Sequence, residues 1–271
     1  MQYAQIQLTL ESALHIGSGR SGMLAKSHAF LPGHIVSYAL AAAIGKAHGG
    51  QYEDFTQALQ LVLQQVRCGP LFIEDPKQAG KVLLPKKDRE SVERQFLMAS
   101  NHVTLDPQTR SSVDGALFEV EAIASQVVRG TYKGTQTNLL GGLWFTEGTL
   151  HERSISDWLQ VCLLGGELKT GFGRIRSVSL DTDVNNYAGV GQVDDQGLHL
   201  DAGETLPGVA LDGVAGACFY PWVGRLFDRA KGAGRALSAP AFVAFDAKVA
   251  EPACFRPKSD VIGLGCWTTI E

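Results

Sequence analysis

The sequence has no apolar stretch close to the roughly 20 residues that a membrane-spanning helix requires. Its longest apolar run lies around Ala39–Ile44. The segment Met1–Gln5 also lacks the basic start and the following apolar core of a secretory signal. We therefore expect a cytoplasmic chain with no membrane partner.

Cysteine is scarce and scattered. An odd number of cysteines in a chain without a signal favours free thiols in a reducing compartment. No pair has the C-x-x-C spacing typical of a structural zinc site, and no acidic pair supports a two-metal centre. We expect no metal and no cofactor. The five cysteines are Cys68, Cys162, Cys218, Cys254 and Cys266.

Charge is also limited: 19% of the residues are charged, and the net charge is −4. This balance is not typical of a free-standing nucleic-acid-binding protein. The charges are distributed unevenly, because Asp181–Asp212 contains seven acidic residues and no Lys or Arg, whereas Arg225–Lys258 contains seven basic residues and three acidic ones. The two stretches are either separate surfaces for separate partners or two solvated faces.

The hydrophobic fraction of 45% is sufficient for a folded core, and the patterning predicts an α+β fold. Up to residue 180, the predicted order is strand, helices, strands, helix, strand, which suits a ferredoxin-like βαββαβ core with insertions. Residues 181–271 are predicted to form a β-rich C-terminal region. The predicted strands are Tyr3–Leu10, Leu71–Glu74, Lys81–Leu84, Ala116–Ile123, Leu143–Thr146, Gly173–Leu180, Gly197–Leu200, Val209–Phe219, Ala241–Val249 and Val261–Thr268; the predicted helices are Ile35–Ala47, Glu53–Val66, Asp88–Ala99 and Asp157–Leu164.

Glycine is enriched in two loops that also carry basic residues. The spacing of Gly17, Gly19 and Gly22 fits a dinucleotide fingerprint, but Pro32 breaks the helix that should follow, and no acidic residue is available for a ribose. Phe172 stands where a P-loop requires lysine, so that motif is also rejected. With both motifs rejected, the two glycine-containing loops are either anion-binding loops or tight turns. The basic residues are Arg20 and Lys26 in the first loop, and Lys169, Arg174 and Arg176 in the second.

Three segments together resemble the signatures of the CRISPR-associated RAMP superfamily. They are Leu14–Gly19 after the first strand, Leu31–Gly33 before the first helix, and Gly165–Ile175, which has the form G-G-x-x-x-x-G-F-G-R. A fourth segment, Leu105–Glu121, resembles the Cas-five-type subunits that cap the 5′ end of the guide RNA in type III and related complexes. The resemblance covers about residues 1–180.

The resemblance implies an RRM-like fold that binds guide RNA (crRNA) without chemistry of its own. It implies assembly with Cas-seven-type backbone subunits and a large effector subunit, and contact with target nucleic acid through the guide. A β-hairpin thumb is expected within residues 100–134. The alternatives are a backbone subunit along the spacer and a guide-processing, metal-independent endoribonuclease. The expected RNA-binding residues are His15, Gly17, Ser18, Gly19, Arg20, Lys26, Arg110, Lys133, Gly165, Gly166, Lys169, Thr170, Gly171, Phe172, Gly173, Arg174 and Arg176.

Two observations argue against catalysis. Target-cleaving RAMP subunits carry an aspartate between the first motif and the Pro-Gly pair, whereas Leu14–Gly33 contains no acidic residue. His15, His28 and His34 could supply a general acid or base, but no partner is fixed by their spacing. We therefore expect no catalytic residue. The four tryptophans are expected in the core and not as base-stacking platforms.

Overall fold

A computed structural model describes residues 1–215, 218–221, 242–261 and 263–270. Helices and several β-sheets occur together, which confirms the mixed α and β class. The elements up to residue 181 are β1 Gln2–Leu10, β2 Gly17–Ser21, β3 Leu24–Ser27, α1 Gly33–Ala47, α2 Tyr52–Gln65, β4 Val66–Cys68, β5 Phe72–Glu74, β6 Val82–Leu83, α3 Arg89–Phe96, β7 Leu97–Leu105, β8 Ser112–Ile123, β9 Asn138–Phe145, β10 Thr149–Leu150, β11 Arg153–Ser154, α4 Ile155–Gln160, a 3₁₀ turn Leu168–Thr170, and β12 Ile175–Asp181.

Strand β1 lies at the centre of the first sheet. It pairs antiparallel with β12 on one side and with β9 on the other, and β9 pairs in turn with β4 and β5. The side chains of β1 alternate as predicted: Ala4, Ile6, Leu8 and Leu10 are fully buried on one face. Along the chain, the predicted order of strand, helices, strands, helix and strand is present apart from β2 and β3, which precede α1, and α3, which lies between β6 and β7.

Helices α1, α2 and α4 pack against this buried face of β1. Their apolar residues share one core with it, including Leu40, Val62 and Leu159. Burying each such side chain contributes about 1.5–3 kcal/mol. Helix α4 begins at a side-chain cap, because Ser154 Oγ accepts a hydrogen bond from the Asp157 N–H at 3.0 Å.

The opposite face of the sheet is covered by the C-terminal strands. Tyr3 and Trp144 of the sheet pack with Tyr187 and Trp267 in a second core. A Cβ at Gly142 would lie 2.5 Å from the Tyr187 ring, so this strand position requires glycine. The C-terminal strands are β13 Gln192–Val193, β14 Leu198–Leu200, β15 Thr205–Ala210, β16 Val214–Ala215, β17 Cys218–Pro221, β18 Phe242–Val249, β19 Ala253–Pro257 and β20 Trp267–Thr269.

A separate four-stranded sheet has the order β2-β3-β8-β7. Strands β7 and β8 form a long antiparallel hairpin, in which Leu97 pairs with Ile123 and Leu105 pairs with Ser112. Asp106 caps the turn at its tip by accepting the N–H groups of Gln108 and Thr109. A hairpin therefore lies where the thumb is expected, but it begins before residue 100 and ends before residue 134.

Several sequence predictions differ from the structure. The segment from His15 to Gly22 is not a loop, because β2 and β3 form a hairpin whose β3 strand pairs in parallel with β8. The glycines and exposed polar residues of β2 hide this pairing from any hydrophobic pattern. The predicted helix Asp88–Ala99 ends at Phe96, and β7 was missed because its residues are mostly exposed and no alternation of apolar and polar residues marks a buried face.

Differences also occur in the C-terminal region. The predicted strand Val209–Phe219 is divided among β15, β16 and β17. Strand β19 was not predicted from the sequence. Trp144, Trp158 and Trp267 are buried as predicted, whereas Trp222 lies outside the described residues. The four cysteines whose side chains are described, Cys68, Cys162, Cys254 and Cys266, are free thiols as predicted.

Candidate nucleic-acid interface

Two motif segments that lie about 150 residues apart in the sequence meet directly in the fold. The Gly166 N–H donates to the His15 carbonyl oxygen at 2.8 Å, and His15 and Gly166 form an isolated antiparallel bridge. Gly165 has a φ of 75°, and a Cβ there would lie 2.2 Å from the same carbonyl oxygen. A side chain at Gly165 is therefore excluded both by the backbone conformation and by this contact.

The second glycine-containing segment is anchored again at its far end. The Gly173 N–H donates to the Ala13 carbonyl oxygen at 2.8 Å, and the Arg174 N–H donates to Ser12 Oγ at 3.0 Å. A Cβ at Gly173 would lie 2.0 Å from the Leu164 carbonyl oxygen. The N–H groups of Gly166 and Gly173 are thus used inside the protein and are not available to a phosphate.

The segment between these anchors is the exposed part of the loop. A 3₁₀ turn presents Lys169 and Thr170, and Thr170 Oγ1 donates back to the Glu167 carbonyl oxygen at 2.7 Å. Gly171 has a φ of 93°, and nothing lies within 4 Å of a Cβ built there. Arg174 and Arg176 are also exposed. This exposed, positively charged turn is the part of the loop that can approach an anion.

The His15 side chain is buried between the motif segments and the base of the β7–β8 hairpin. Its Nδ1 lies 2.6 Å from the Glu121 carbonyl oxygen. Because a carbonyl oxygen can only accept, Nδ1 carries a proton and donates it in this hydrogen bond. His15 therefore holds the hairpin base against the glycine segments, which is a structural role.

His28 and His34 belong to the same neighbourhood. Burial lowers the pKa of His28 to about 4, with a smaller contribution from the nearby His15. Burial also lowers the pKa of His34 to about 4, with a smaller contribution from His28. Both rings are therefore neutral near pH 7 and add no positive charge to the interface.

Three aromatic side chains connect the glycine loop with the hairpin. The rings of His102 and Phe118 stack with centroids 5.3 Å apart and planes 17° apart. Phe172 approaches His102 edge-on at 6.1 Å. Phe172 was predicted from the sequence, whereas His102 and Phe118 were not. The signal that the sequence offers for these two is that they flank a segment of turn-forming residues, one on each side.

The pairing register divides the basic residues of β2 and β3 between two faces. Arg20 pairs with Ala25, Ala25 pairs with Val120, and Val120 pairs with Ser100, so these residues share one face of the sheet. Lys26 follows Ala25 and lies on the opposite face. Phe118 and His102 are two positions from Val120 and Ser100 and therefore lie on the face of Arg20. Gly17, Ser18 and Gly19 form the start of β2 beside His15.

Arg110 and Lys133 lie outside the contacts described above. Arg110 lies in the turn at the hairpin tip, past Leu105, which is three β7 residues or about 10 Å beyond His102. Lys133 lies in the turn Gly130–Gly134, where its N–H donates to the Gly130 carbonyl oxygen at 3.2 Å. Their assignment as RNA-binding residues stays a prediction.

Among residues 1–215, 218–221, 242–261 and 263–270, no group of three or more His, Cys, Asp and Glu side chains could hold a metal ion. In the same described part of the chain, no helix has the length and apolar character needed to cross a membrane.

No protein-family model matches the chain, and no curated protein matches it in sequence. Among solved structures, a chain of the type III-B Cmr-β complex bound to cognate target RNA and AMPPnP aligns with 92% of this chain and 84% of its own length, at 14% identity and a TM-score of 0.47. A chain of the type III-B Cmr-β complex bound to cognate target RNA aligns with 67% of this chain and 97% of its own length, at 13% identity and a TM-score of 0.39. Both TM-scores are below 0.5.

Proposed function

We propose that this chain is an RNA-binding subunit of a CRISPR effector complex and that it holds the 5′ handle of the guide RNA. The observation that carries the proposal is the contact between His15 and Gly166. It joins the two segments that most resemble RAMP signatures, and it leaves the positively charged turn Leu168–Thr170 exposed beside them.

The topology of the central sheet supports this proposal. Along the chain, the four strands of the βαββαβ order are β1, β4 with β5, β9 and β12. Across the sheet, β12 lies next to β1, β1 next to β9, and β9 next to β4 and β5, which is the order fourth, first, third, second. The ferredoxin-like core that the RAMP resemblance implies has the same strand order, and this agreement supports the proposal. The glycine segment Gly165–Gly173 connects the last helix to the last strand of this core, at the sheet edge formed by β12.

Phosphate binding by the turn follows from its charge and its open backbone. Lys169 and Arg174 are exposed cations close to Gly171, whose missing side chain allows a phosphodiester to approach the backbone. The β7–β8 hairpin passes this turn, because Phe172 contacts His102, and the three β7 residues after His102 carry it about 10 Å further to its tip. In the proposed complex, the turn binds the handle backbone, and the hairpin extends over the guide as a thumb.

The salt dependence of RNA binding tests this proposal. Replacing Lys169 and Arg174 with Glu removes two phosphate contacts, so the slope of log K against log salt should become shallower by about 1.4 for a single strand. The matched control reverses two exposed charges elsewhere, Lys46 and Lys248. The control should keep the wild-type slope. An unchanged slope in the Lys169/Arg174 variant would remove the turn from the RNA path.

We further propose that the chain cleaves no RNA and acts beside Cas-seven-type backbone subunits and a large effector subunit. The acid-free segment Leu14–Gly33 and the structural use of His15 Nδ1 support this proposal. The purified chain should leave labelled repeat RNA intact at neutral pH. Cleavage that disappears in the His15→Ala or His34→Ala variant would contradict it and favour the guide-processing endoribonuclease.

A further inference from the structure

The aromatic cluster between hairpin and loop has a geometry suited to a flat ligand. His102 and Phe118 lie directly opposite each other on β7 and β8, and their rings are nearly parallel. Phe172 closes one side of the pair, and all three side chains are half-buried, so each keeps part of its surface open. We propose that His102, Phe118 and Phe172 form a stacking platform for one nucleobase of the bound RNA.

The platform is held rigid by contacts that do not involve RNA. The side chains of Ser100 and His102 are joined by a hydrogen bond of 2.9 Å between Oγ and Nε2, which fixes the His102 ring on the hairpin. Phe172 is held in place because the N–H of the next residue, Gly173, donates a hydrogen bond to the Ala13 carbonyl oxygen. A preformed aromatic surface loses little side-chain entropy on binding.

Charged groups on the same face suit a nucleotide and not an isolated apolar ring. Arg20 shares this face of the four-stranded sheet, and Lys169 lies three residues before Phe172 in the glycine loop. A base stacked on the platform therefore has cations nearby for its phosphates. The rings offer π-faces without a set of hydrogen-bonding edges, so stacking should tolerate any base. The inference deepens the proposed function and rests on it, because it names the part of the RNA that this surface holds.

The test uses the full chain and a short single-stranded oligouridine that carries one 2-aminopurine, whose fluorescence falls when the base stacks. The wild-type chain should quench the probe at one position more strongly than at the others. Phe118→Leu keeps the apolar volume but removes the π-face, so it should abolish that quenching and weaken binding about 5- to 10-fold. Phe118→Trp should keep the quenching. Val103→Ala is the control, because Val103 neighbours His102 on the opposite face and is 46% exposed.

The outcomes separate the platform from the proposed function. If Phe118→Leu folds and keeps the positional quenching, the platform is wrong, even when the Lys169/Arg174 variant loses its salt slope. If quenching is lost in Phe118→Leu and kept in Phe118→Trp, but the Lys169/Arg174 variant keeps the wild-type salt slope, then the glycine turn does not bind RNA and the platform is supported. A wild-type chain that does not bind the probe contradicts both. Thermal unfolding of each variant shows whether a lost signal reflects a lost fold.

Discussion

Replacing Gly173 with alanine should destabilise the protein strongly, because three features of this position oppose a side chain. The residue has a φ of 79°, and a Cβ would lie 2.0 Å from the Leu164 carbonyl oxygen. That oxygen is a backbone atom and cannot rotate away. Gly173 also forms two backbone hydrogen bonds, to the Ala13 carbonyl oxygen at 2.8 Å and from the Leu164 N–H at 2.9 Å.

The size of the effect follows from these contacts. The left-handed conformation costs an alanine about 1–2 kcal/mol. Moving the backbone to relieve the overlap weakens the two hydrogen bonds, each of which contributes about 0.5–1.5 kcal/mol. The free energy of unfolding should therefore fall by about 2–5 kcal/mol, a large part of the 5–15 kcal/mol typical of a folded protein.

Gly171→Ala is the matched comparison within the same loop. Gly171 has a φ of 93° but nothing within 4 Å of its Cβ position, so only the conformational cost of about 1–2 kcal/mol applies. Urea unfolding followed by tryptophan fluorescence measures both variants. Equal losses would refute the reasoning, because they would mean that Gly173 is not packed against the Leu164 backbone.

Further outcomes concern RNA binding, pH and thiol reactivity. Gly171→Val should weaken RNA binding; because valine at a φ of 93° also destabilises the fold, binding is measured well below the thermal midpoint of the variant, and equal affinity in a filter-binding assay would contradict the open approach at this position. Burial holds the pKa of His28 and of His34 at about 4, so the unfolded chain takes up more protons as the pH falls, and the thermal midpoint should be lower at pH 5 than at pH 7. Burial raises the pKa of Asp246 to about 6, so this carboxyl group takes up a proton in the folded state and has the opposite effect on stability. Because the two histidines outweigh this single carboxyl group, the midpoint should still fall, and a midpoint that rises on acidification would contradict this prediction. Asp246→Ala leaves two backbone N–H groups without their acceptor and should cost about 2–3 kcal/mol in urea unfolding, whereas Asp246→Asn should cost less, and equal costs would contradict this assignment. Cys254 should react with a thiol reagent before the fully buried cysteines, whose pKa values are raised by burial, and the reverse order would contradict the burial pattern.

The sequence predicted the central sheet and its helices well because their patterns are periodic. Ala4, Ile6, Leu8 and Leu10 alternate with polar residues, and the capping residues of α4 are local signals. These features depend on neighbours within a few residues, so they can be identified without knowledge of the fold.

The hairpin sheet could not be predicted in the same way. Strand β2 is stabilised by pairing with β3, and β3 by parallel pairing with β8, nearly 100 residues later. The residues of β2 and β7 are mostly exposed, so no buried face marks them in the sequence. His102 and Phe118 meet through the register of the β7–β8 hairpin, and Phe172 reaches them from a loop more than 50 residues later, so no local pattern marks the three together.

The central claim is that this chain holds the 5′ handle of a guide RNA. The most direct measurement is sequencing of the RNA that co-purifies with the tagged chain from its host, compared with the chain carrying Lys169→Glu and Arg174→Glu. The account predicts short RNAs that share one repeat-derived 5′ segment in the wild-type sample and their depletion in the variant. Bulk cellular RNA, or the same guide RNAs at equal abundance in both samples, would contradict it.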